Sequence, residues 1–335
     1  MIRHPLPMLP WPWLVAVLLV ATVALTLASV AIGYAPLNLG AAIVGAWSGR
    51  DSMDALVLVQ LRLPRALLGA FMGFSLGVSG AALQGLLRNP LAEPGVIGVS
   101  GAAAFGAVCV FYFGFAGAFA LALPLGGMVG ALVATLLLFR MAGASRSPTG
   151  LILAGVAINA LAGAFTALAL NLSPNPYAAL EIVFWLMGSL ADRSMAQFLL
   201  AAPLMVLGWI ALLASARNLE ALALGEDTAA SLGVNLQRLR LQLVLGSALA
   251  VGSAVSVTGA VGFVGLVAPH LMRPLVGHRP GRLLLVSGFA GAMIVLCADM
   301  AVRLLPVQPE LKLGVMTALV GAPFLISMLQ GRRRA

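Results

Sequence analysis

The sequence predicts an all-α integral membrane protein with about ten transmembrane helices. Three observations predict this class: 61% of the residues are hydrophobic, only 9% are charged, and the mean hydropathy is +1.07. A soluble domain carries roughly 25% charged residues, so a water-soluble class is excluded. The apolar runs continue without alternation, which favours helices over a β-barrel. All 335 residues are expected to form one transmembrane domain.

The first half of the chain is expected to supply five spans, at 14–33, 66–87, two within 94–139, and one after Pro148. Each single span approaches or exceeds the ~20 residues that cross a bilayer as a helix. The second span carries Gly69, Gly73 and Gly77, which line one helical face because they are four residues apart. Small residues on one face let helices approach closely, so this span is predicted to lie inside the bundle.

The second half is expected to supply five more spans, separated by one long polar segment at 217–240. Residues 194–216 form the sixth span, and 283–305 and 313–330 form the last two. The run 241–272 must cross twice, yet it is short for two full helices. Its glycines at 259, 262 and 265 predict a broken or short helix near 258–272. Such a break is tolerated at membrane depth only where protein covers it.

The basic residues predict the orientation. If both termini are cytoplasmic, thirteen of the 19 basic residues fall inside and six fall outside, in accord with the excess of Lys and Arg in cytoplasmic loops. The net charge of +9 therefore has a topological meaning, and no nucleic-acid partner is expected. The inside set is Arg3, Arg88, Arg140, Arg146, Arg217, Arg238, Arg240, Arg273, Arg279, Arg282, Arg332, Arg333 and Arg334. The outside set is Arg50, Arg62, Arg65, Arg193, Arg303 and Lys312.

The polar segment at 217–240 reads as two short helices, near 219–224 and 227–232, separated by Gly225 and closed by Gly233. Glycine suits both places because it adopts positive φ without a steric cost. Glu226 and Asp227 stand where a carboxylate meets the positive end of a helix dipole. Helices this short are marginal without a partner, so the segment is expected to dock on another protein. A solvated loop that only joins two spans is the alternative.

Two polar positions inside spans have two interpretations each. Asn159, in the fifth span, is expected to bond a neighbouring helix, with pore lining as the alternative. Asp299 is the one carboxylate expected inside a span, and Arg303 lies four residues on, so the two can pair along one helical face. A proton site is the alternative for Asp299, but no second acid inside a span completes a relay.

The inventory of reactive groups excludes most catalytic schemes. Lys312 is the only lysine and follows Leu311 rather than glycine, so the chain has no Walker A phosphate loop. The three histidines, His4, His270 and His278, are all predicted at the cytoplasmic surface, where they complete neither a zinc site nor a Ser–His pair. Cys109 and Cys297 show no metal or redox spacing. No catalytic residue, metal or cofactor is expected.

Six motifs together resemble the permease subunits of iron-chelate and vitamin B12 ABC importers, the FecCD-type or type II importer family. The resemblance covers nearly the whole chain, in the family's order. The motifs are Arg62-Leu-Pro-Arg65, Arg88-Asn-Pro-Leu-Ala-Glu-Pro94 with Gly98-Val-Ser-Gly101, Trp185-Leu-Met-Gly-Ser-Leu190, Leu224-Gly-Glu-Asp-Thr-Ala-Ala-Ser-Leu-Gly233, Gly262-Phe-Val-Gly-Leu-Val-Ala-Pro-His270 and Thr317-Ala-Leu-Val-Gly-Ala-Pro323.

The resemblance implies a homodimer of ten-helix subunits in the bacterial inner membrane, with two ATPase subunits below and a periplasmic binding protein above. It implies that Arg62, Arg65 and Arg303 meet acidic residues of the binding protein. It also implies a translocation path on the dimer axis, lined near Leu151, Asn159 and Phe165 together with the last span. The coupling helices that contact the ATPase would include Leu219, Glu220, Leu224, Gly225, Glu226, Asp227, Leu232 and Gly233.

The predicted function is therefore import of an iron chelate, either haem or a ferric siderophore, by a chain that supplies path and coupling but no ATPase site. Cobalamin is the alternative ligand within the same family. An ion-coupled secondary transporter is a more remote alternative, because it would need paired acids inside the membrane. A purely structural membrane subunit is the other alternative.

Overall fold

A computed structural model describes residues 9–33, 38–48, 52–143, 148–173, 176–307 and 309–332, and within these ranges every regular element is helical. The predictions made for Arg3, His4, Arg50, Arg146, Arg333 and Arg334 lie outside the described residues. The helices are α1 (Trp11–Ala31), α2 (Leu39–Ser48), α3 (Met53–Leu87), α4 (Val99–Tyr112), α5 (Ala122–Gly143), α6 (Pro148–Asn171), α7 (Pro176–Leu186), α8 (Met195–Ala214), α9 (Ala216–Ala223), α10 (Glu226–Ser231), α11 (Leu236–Thr258), α12 (Val264–Met272), α13 (Pro280–Leu304) and α14 (Leu313–Arg332).

The described residues contain seven helices that are long and apolar enough to cross a membrane: α1, α3, α5, α6, α8, α11 and α13. The shorter apolar helices α4 and α12, together with α14, correspond to the three remaining predicted spans. The structure thus confirms the all-α membrane class and places a helix at each of the ten predicted spans.

The centre of the bundle is the packed pair α3 and α13, against which α12 and α1 also lie. Gly73 and Gly77 of α3 lie against the backbone at Gly291 and Ser287 of α13. A methyl group at position 77 would overlap the carbonyl oxygen of Ser287, so glycine is required for the helices to come this close. The prediction that this glycine face is buried in the bundle is confirmed.

The predicted break near 258–272 is present, because α11 ends at Thr258 and α12 begins only at Val264. Gly259 has a φ of 76° and turns the chain away from the helix axis. The segment after α7 covers the break: the backbone N–H of Ser189 donates to the carbonyl of Thr258 at 2.7 Å. The last carbonyl of α11 is therefore paired within the protein, as a break at membrane depth requires.

Two helix boundaries differ from the sequence-based expectation, and two helices are additional to it. Helix α3 begins at Met53, thirteen residues before the predicted span, through a wider π-helical turn at Val57–Arg62. Helix α11 begins at Leu236, where Asn235 caps it by accepting a hydrogen bond from the N–H of Arg238 at 2.9 Å. Helices α2 and α7 were not predicted, because about ten apolar residues are too few to span a bilayer and carry no distinct signal.

Candidate functional site

Helices α9 and α10 form the short helical pair predicted in the polar segment. Their observed bounds, Ala216–Ala223 and Glu226–Ser231, lie within a few residues of the expectation. Leu219 and Leu222 of α9 are buried, and α9 packs against both α3 and α13. The pair is therefore anchored to the central helices mainly through α9.

Gly225 and Glu226 fix the angle between the two short helices. Gly225 has φ 124° and ψ 153°, a conformation that residues with a side chain rarely adopt. The Glu226 carboxylate accepts hydrogen bonds from the Arg240 guanidinium of α11 at 3.0 and 3.1 Å. Gly233, with φ 85°, then turns the chain towards α11. The local sequence thus presets one orientation of α10.

The outer surface of this pair combines exposed apolar and acidic side chains. Leu224 is 68% exposed and Leu232 is 62% exposed, one before and one after α10. The exposed side chains of Glu220 and Asp227 lie on the same short segment. Leucines held in water at the rim of a polar segment are typical of a surface that a partner covers. We call the residues Glu220, Leu224, Glu226, Asp227 and Leu232 the coupling surface.

A set of largely apolar cavities surrounds the break between α11 and α12. A cavity of about 640 Å³ lies between the end of α7, residues 260–263 and α14. A second of about 320 Å³ lies between α12, α13 and α14, and a third of about 230 Å³ reaches α4 and α6. Phe263 lines all three, and its φ of 67° is rare for an aromatic residue. Its backbone is therefore held in a strained conformation where the cavities meet.

Glu93 lies in the turn that precedes the helical turn Pro94–Ile97, outside the membrane-spanning helices, and lines the cavity of about 230 Å³ together with Phe263. Burial raises the pKa of the Glu93 carboxyl above its usual range, and the nearby backbone of Phe263 opposes that shift. Sequence reasoning gave Glu93 no role. The available signal was a single acid inside a proline-broken turn of an apolar chain.

The three predicted path residues of α6 do not share one environment. Asn159 and Phe165 are exposed; Asn159 lines the smallest cavity, and the Phe165 ring lies 5.5 Å from that of Phe105 in α4. Leu151 is buried, so it lines no open surface in this conformation, because its side chain packs in the core of the subunit. The Asn159 amide oxygen also lies against Gly101 of the neighbouring helix α4, so both interpretations of Asn159 stay open and the path assignment stays a prediction.

Arg65, Asp299, Arg303 and Glu310 form one ion-pair network. Arg65 donates to the Asp299 carboxylate at 2.8 to 3.1 Å and also pairs with Glu310. Arg303 pairs with the same Asp299 at 2.8 Å, which confirms the predicted contact four residues apart on one helix. Asp299 therefore balances two arginines at once, and the structural interpretation of this acid is the one that the geometry supports.

Arg62 and Arg303 both fasten the end of α1. Arg62 donates to the carbonyls of Val30 and Ala31 at 3.2 and 2.7 Å. Arg303 donates to the carbonyl of Ser29 at 2.8 Å. Cations favour the carbonyl end of a helix, where backbone acceptors lack partners within the helix. Arg62 and Arg303 are buried and Arg65 is mostly buried, because all three bond inside the subunit, and their docking on a binding protein stays a prediction.

The histidines are not gathered into a ligand set. His278 is exposed, whereas the ring of His270, at the end of α12, packs edge-on against Phe324 with centroids 5.5 Å apart. No three His, Cys, Asp or Glu side chains of the described ranges are close enough to share a metal ion. His4 belongs to the residues outside those ranges.

Comparison with known proteins matches residues 18–331 to the FecCD transport family. The vitamin B12 import permease BtuC of Vibrio vulnificus is 38% identical, covering 88% of this chain and 88% of that protein. The Fe(3+) dicitrate permease FecD of Escherichia coli is 37% identical, covering 82% and 85%. The hemin permease HmuU of Yersinia pestis is 36% identical, covering 89% and 92%.

One solved structure shares the whole fold. It is an inward-facing conformation of an ABC transporter described as of the metal-chelate type, with 31% identity and a TM-score of 0.83. The match covers 96% of this chain and 99% of that chain. The fold as a whole is therefore one that a transporter of this description adopts.

Proposed function

The chain belongs to the FecCD transport family and is the permease subunit of an ABC importer, and we propose that it moves an iron chelate, haem or a ferric siderophore, into the cytoplasm. The observation that carries this proposal is the group of largely apolar cavities around Phe263, next to a segment that presents leucines to a partner. An ordinary pump for small ions would instead need charged groups in its path. Two of the relatives described above are named for iron compounds.

Cobalamin is the second candidate ligand. The identities to the vitamin B12 and iron-compound permeases lie within two percentage points of each other, at 38% against 37% and 36%. A wide apolar path accepts any bulky ligand, so recognition falls mainly to the binding protein. An uptake assay is therefore needed to identify the transported ligand.

The experiment is uptake into proteoliposomes that contain the permease and its ATPase, with binding protein supplied outside. We expect ATP-dependent uptake of a radiolabelled ferric siderophore or of haem, and little uptake of labelled cobalamin. Uptake of cobalamin alone would establish the alternative ligand. Uptake that persists without the ATPase would instead establish an ion-coupled transporter, and no uptake of any ligand would favour a purely structural subunit.

We assign the coupling surface to the ATPase. Leu224 and Leu232 offer apolar contact, Asp227 offers charge, and the Glu226–Arg240 pair fixes the angle of α10. A preset angle matters because a movement of the ATPase reaches the rest of the permease only if α10 does not turn independently of it. One ATPase subunit would dock on each permease of a homodimer, and the chain itself carries no site for ATP hydrolysis.

The homodimer is supported by exposed apolar side chains on α6 and α14, among them Leu153, Val156, Leu319 and Val320. Pairing two subunits through these helices would place Asn159 and Phe165 near the dimer axis. The protein is a multi-pass membrane protein surrounded by lipid, and we place it in the inner membrane with both termini in the cytoplasm. Binding-protein docking through Arg62, Arg65 and Arg303 is retained as a proposal, with Arg65 and its partner Glu310 as the more accessible part.

A further inference from the structure

A separate cavity of about 400 Å³ lies at the start of α1, far along the chain from the path residues. Its walls come from residues 9–14 on one side and residues 275–282 on the other. Unlike the cavities around Phe263, it is lined by two cations, Arg279 and Arg282. Its volume exceeds that of ten water molecules at about 30 Å³ each, so a small polar group fits inside.

No carboxylate of the described chain forms an ion pair with either arginine. The four ion pairs found in the described ranges involve Arg65, Arg240 and Arg303 only. The nearby acid Glu220 lies against Gly281 on the first turn of α13 and takes part in none of these four ion pairs. Two unneutralised guanidinium groups in one cavity attract an anion and suit a phosphate, which they bind through charge-assisted hydrogen bonds.

An aromatic side chain holds one of these cations in place. The guanidinium carbon of Arg282 lies 5.1 Å from the centroid of the Trp11 ring, within cation–π range. This contact fixes Arg282 at the wall of the cavity. Arg279 is exposed at the N-terminal end of α13 and is free to turn towards a bound group.

The position of the cavity relative to the membrane indicates which kind of anion would bind there. Trp13 and Leu9 are exposed beside the cavity, and tryptophan is enriched at the membrane–water interface. From there α1 presents exposed apolar side chains such as Val17 and Val20 along its length. An anion at this place therefore sits at headgroup level, above a surface that suits hydrocarbon chains.

Residues 1–8 are the stretch of chain next to this cavity in sequence, and they cannot supply the missing charge. They contain Arg3 and His4 but no Asp or Glu. We propose that the cavity binds the phosphate of an anionic phospholipid headgroup through Arg279 and Arg282, with the acyl chains along α1. Basic pockets between helices at the cytoplasmic side are known to hold such headgroups. This site does not depend on which ligand is transported.

The test measures lipid affinity of the full-length permease. Delipidated protein in neutral detergent is titrated with dioleoyl phosphatidylglycerol or dioleoyl phosphatidylcholine, and bound lipid is counted by native mass spectrometry. We expect preferential binding of phosphatidylglycerol, and a loss of about tenfold or more in the double variant Arg279→Gln with Arg282→Gln. The matched control is Arg88→Gln with Arg140→Gln, two exposed cations outside the cavity, which should keep the wild-type affinity.

Further variants and a competition experiment show what causes any loss of lipid binding. Arg279→Lys with Arg282→Lys keeps both charges and should retain most of the affinity, so a folding defect of the Gln variant does not hide the answer. Equal affinity of wild type and a folded Gln variant would overturn the proposal, as would an equal loss in the control. Displacement of the lipid by millimolar inorganic phosphate would mean a site for soluble phosphate. A large gain on deletion of residues 2–8 would mean that the chain itself fills the cavity.

Discussion

Arg65 and Asp299 meet across the central helix pair, although 234 positions separate them in the sequence. Two nitrogens of the Arg65 guanidinium donate to the carboxylate at 2.8 to 3.1 Å, and the same carboxylate pairs with Arg303. Because Arg62 and Arg303 also hold α1, these contacts join α1, α3 and α13 at one end of the bundle. The first role of Arg62, Arg65 and Arg303 is therefore to hold α1, α3 and α13 together at this end of the bundle.

The first prediction concerns Asp299. Asp299→Asn keeps the shape but removes the charge between two mostly buried arginines, so we expect a loss of about 3–5 kcal/mol in the free energy of unfolding. Thermal unfolding in detergent measures it. The control is Glu310→Gln, which should cost less because the Glu310 side chain is 21% exposed and Asp299 still pairs with Arg65. Similar melting temperatures for Asp299→Asn and wild type would contradict the structural role.

The second prediction concerns docking of the binding protein. Glu310→Gln removes one of two acids that neutralise Arg65, so if Arg65 meets acidic residues of the partner, affinity should rise at low ionic strength. The gain should shrink as salt is added, since salt screens exposed charges. Glu181→Gln is the matched control, because it removes an exposed acid of α7 outside the network. Unchanged affinity at low salt, or the same gain in the control, would leave these arginines with the structural role only.

The third prediction concerns coupling. Proline fixes φ near −65°, whereas Gly225 has φ 124°, so Gly225→Pro must redirect α10. We expect a folded protein whose ligand-stimulated ATP hydrolysis is no longer linked to uptake. Reversing the charges of Glu226 and Asp227 should uncouple the two activities as well. Gly117→Ala, at an open position without positive φ, is the control.

The coupling surface can also be tested without moving the backbone. Leu224→Ser with Leu232→Ser removes two exposed apolar contacts, so it should weaken ATPase binding while the permease melts as the wild type does. Pull-down of the ATPase measures the effect. Wild-type ATPase binding and uptake in this variant and in both variants of the preceding test would show that the ATPase docks elsewhere.

The fourth prediction concerns Glu93. Glu93→Gln keeps the size and polarity of the side chain, whereas Glu93→Ala removes its packing beside Phe263 and should cost about 1–3 kcal/mol in the free energy of unfolding. Because burial raises the native pKa of Glu93, the native state binds its proton more readily than the unfolded state does. The stability from this group is therefore full below the unfolded pKa and is lost as pH rises through the native pKa.

The pH series gives this prediction its control. The stability advantage of Glu93→Gln over wild type should be largest near about pH 8 and should shrink towards about pH 5, because the glutamine does not titrate. Melting temperatures of both proteins across that range provide the measurement. Parallel curves would show that the Glu93 carboxyl does not titrate with a raised pKa in the folded protein.

The spans could be predicted because lipid imposes a length and an apolar composition that a sequence displays directly. The glycine face of α3 and the break at 259–263 were predicted for a related reason, since glycine at a repeated spacing has few other uses. The partners of Arg65 were not predicted, because Asp299 and Glu310 come near it only after α3 and α13 have packed.

The candidate site was predicted unevenly for the same reason. Helices α9 and α10 are determined by residues within their own short segment, so its glycines and acids were enough to predict them. The burial of Leu151 and the proximity of Glu93 to Phe263 depend on contacts between distant segments, and no local pattern distinguishes them. Long-range contacts among polar side chains are the part that required the structure.

The interlocked backbones of α3 and α13 have a mechanical consequence. At Gly73 and Gly77 the two backbones touch without side chains between them, and α13 alone has 25 residues, or roughly 37 Å at 1.5 Å per residue. Leu219 packs against Gly85 at one end of the α3–α13 pair, and the hydrogen bonds of Arg65 and Arg303 hold the other end together. We therefore expect a push on α9 to be carried across the membrane by α3 and α13 moving together as one unit.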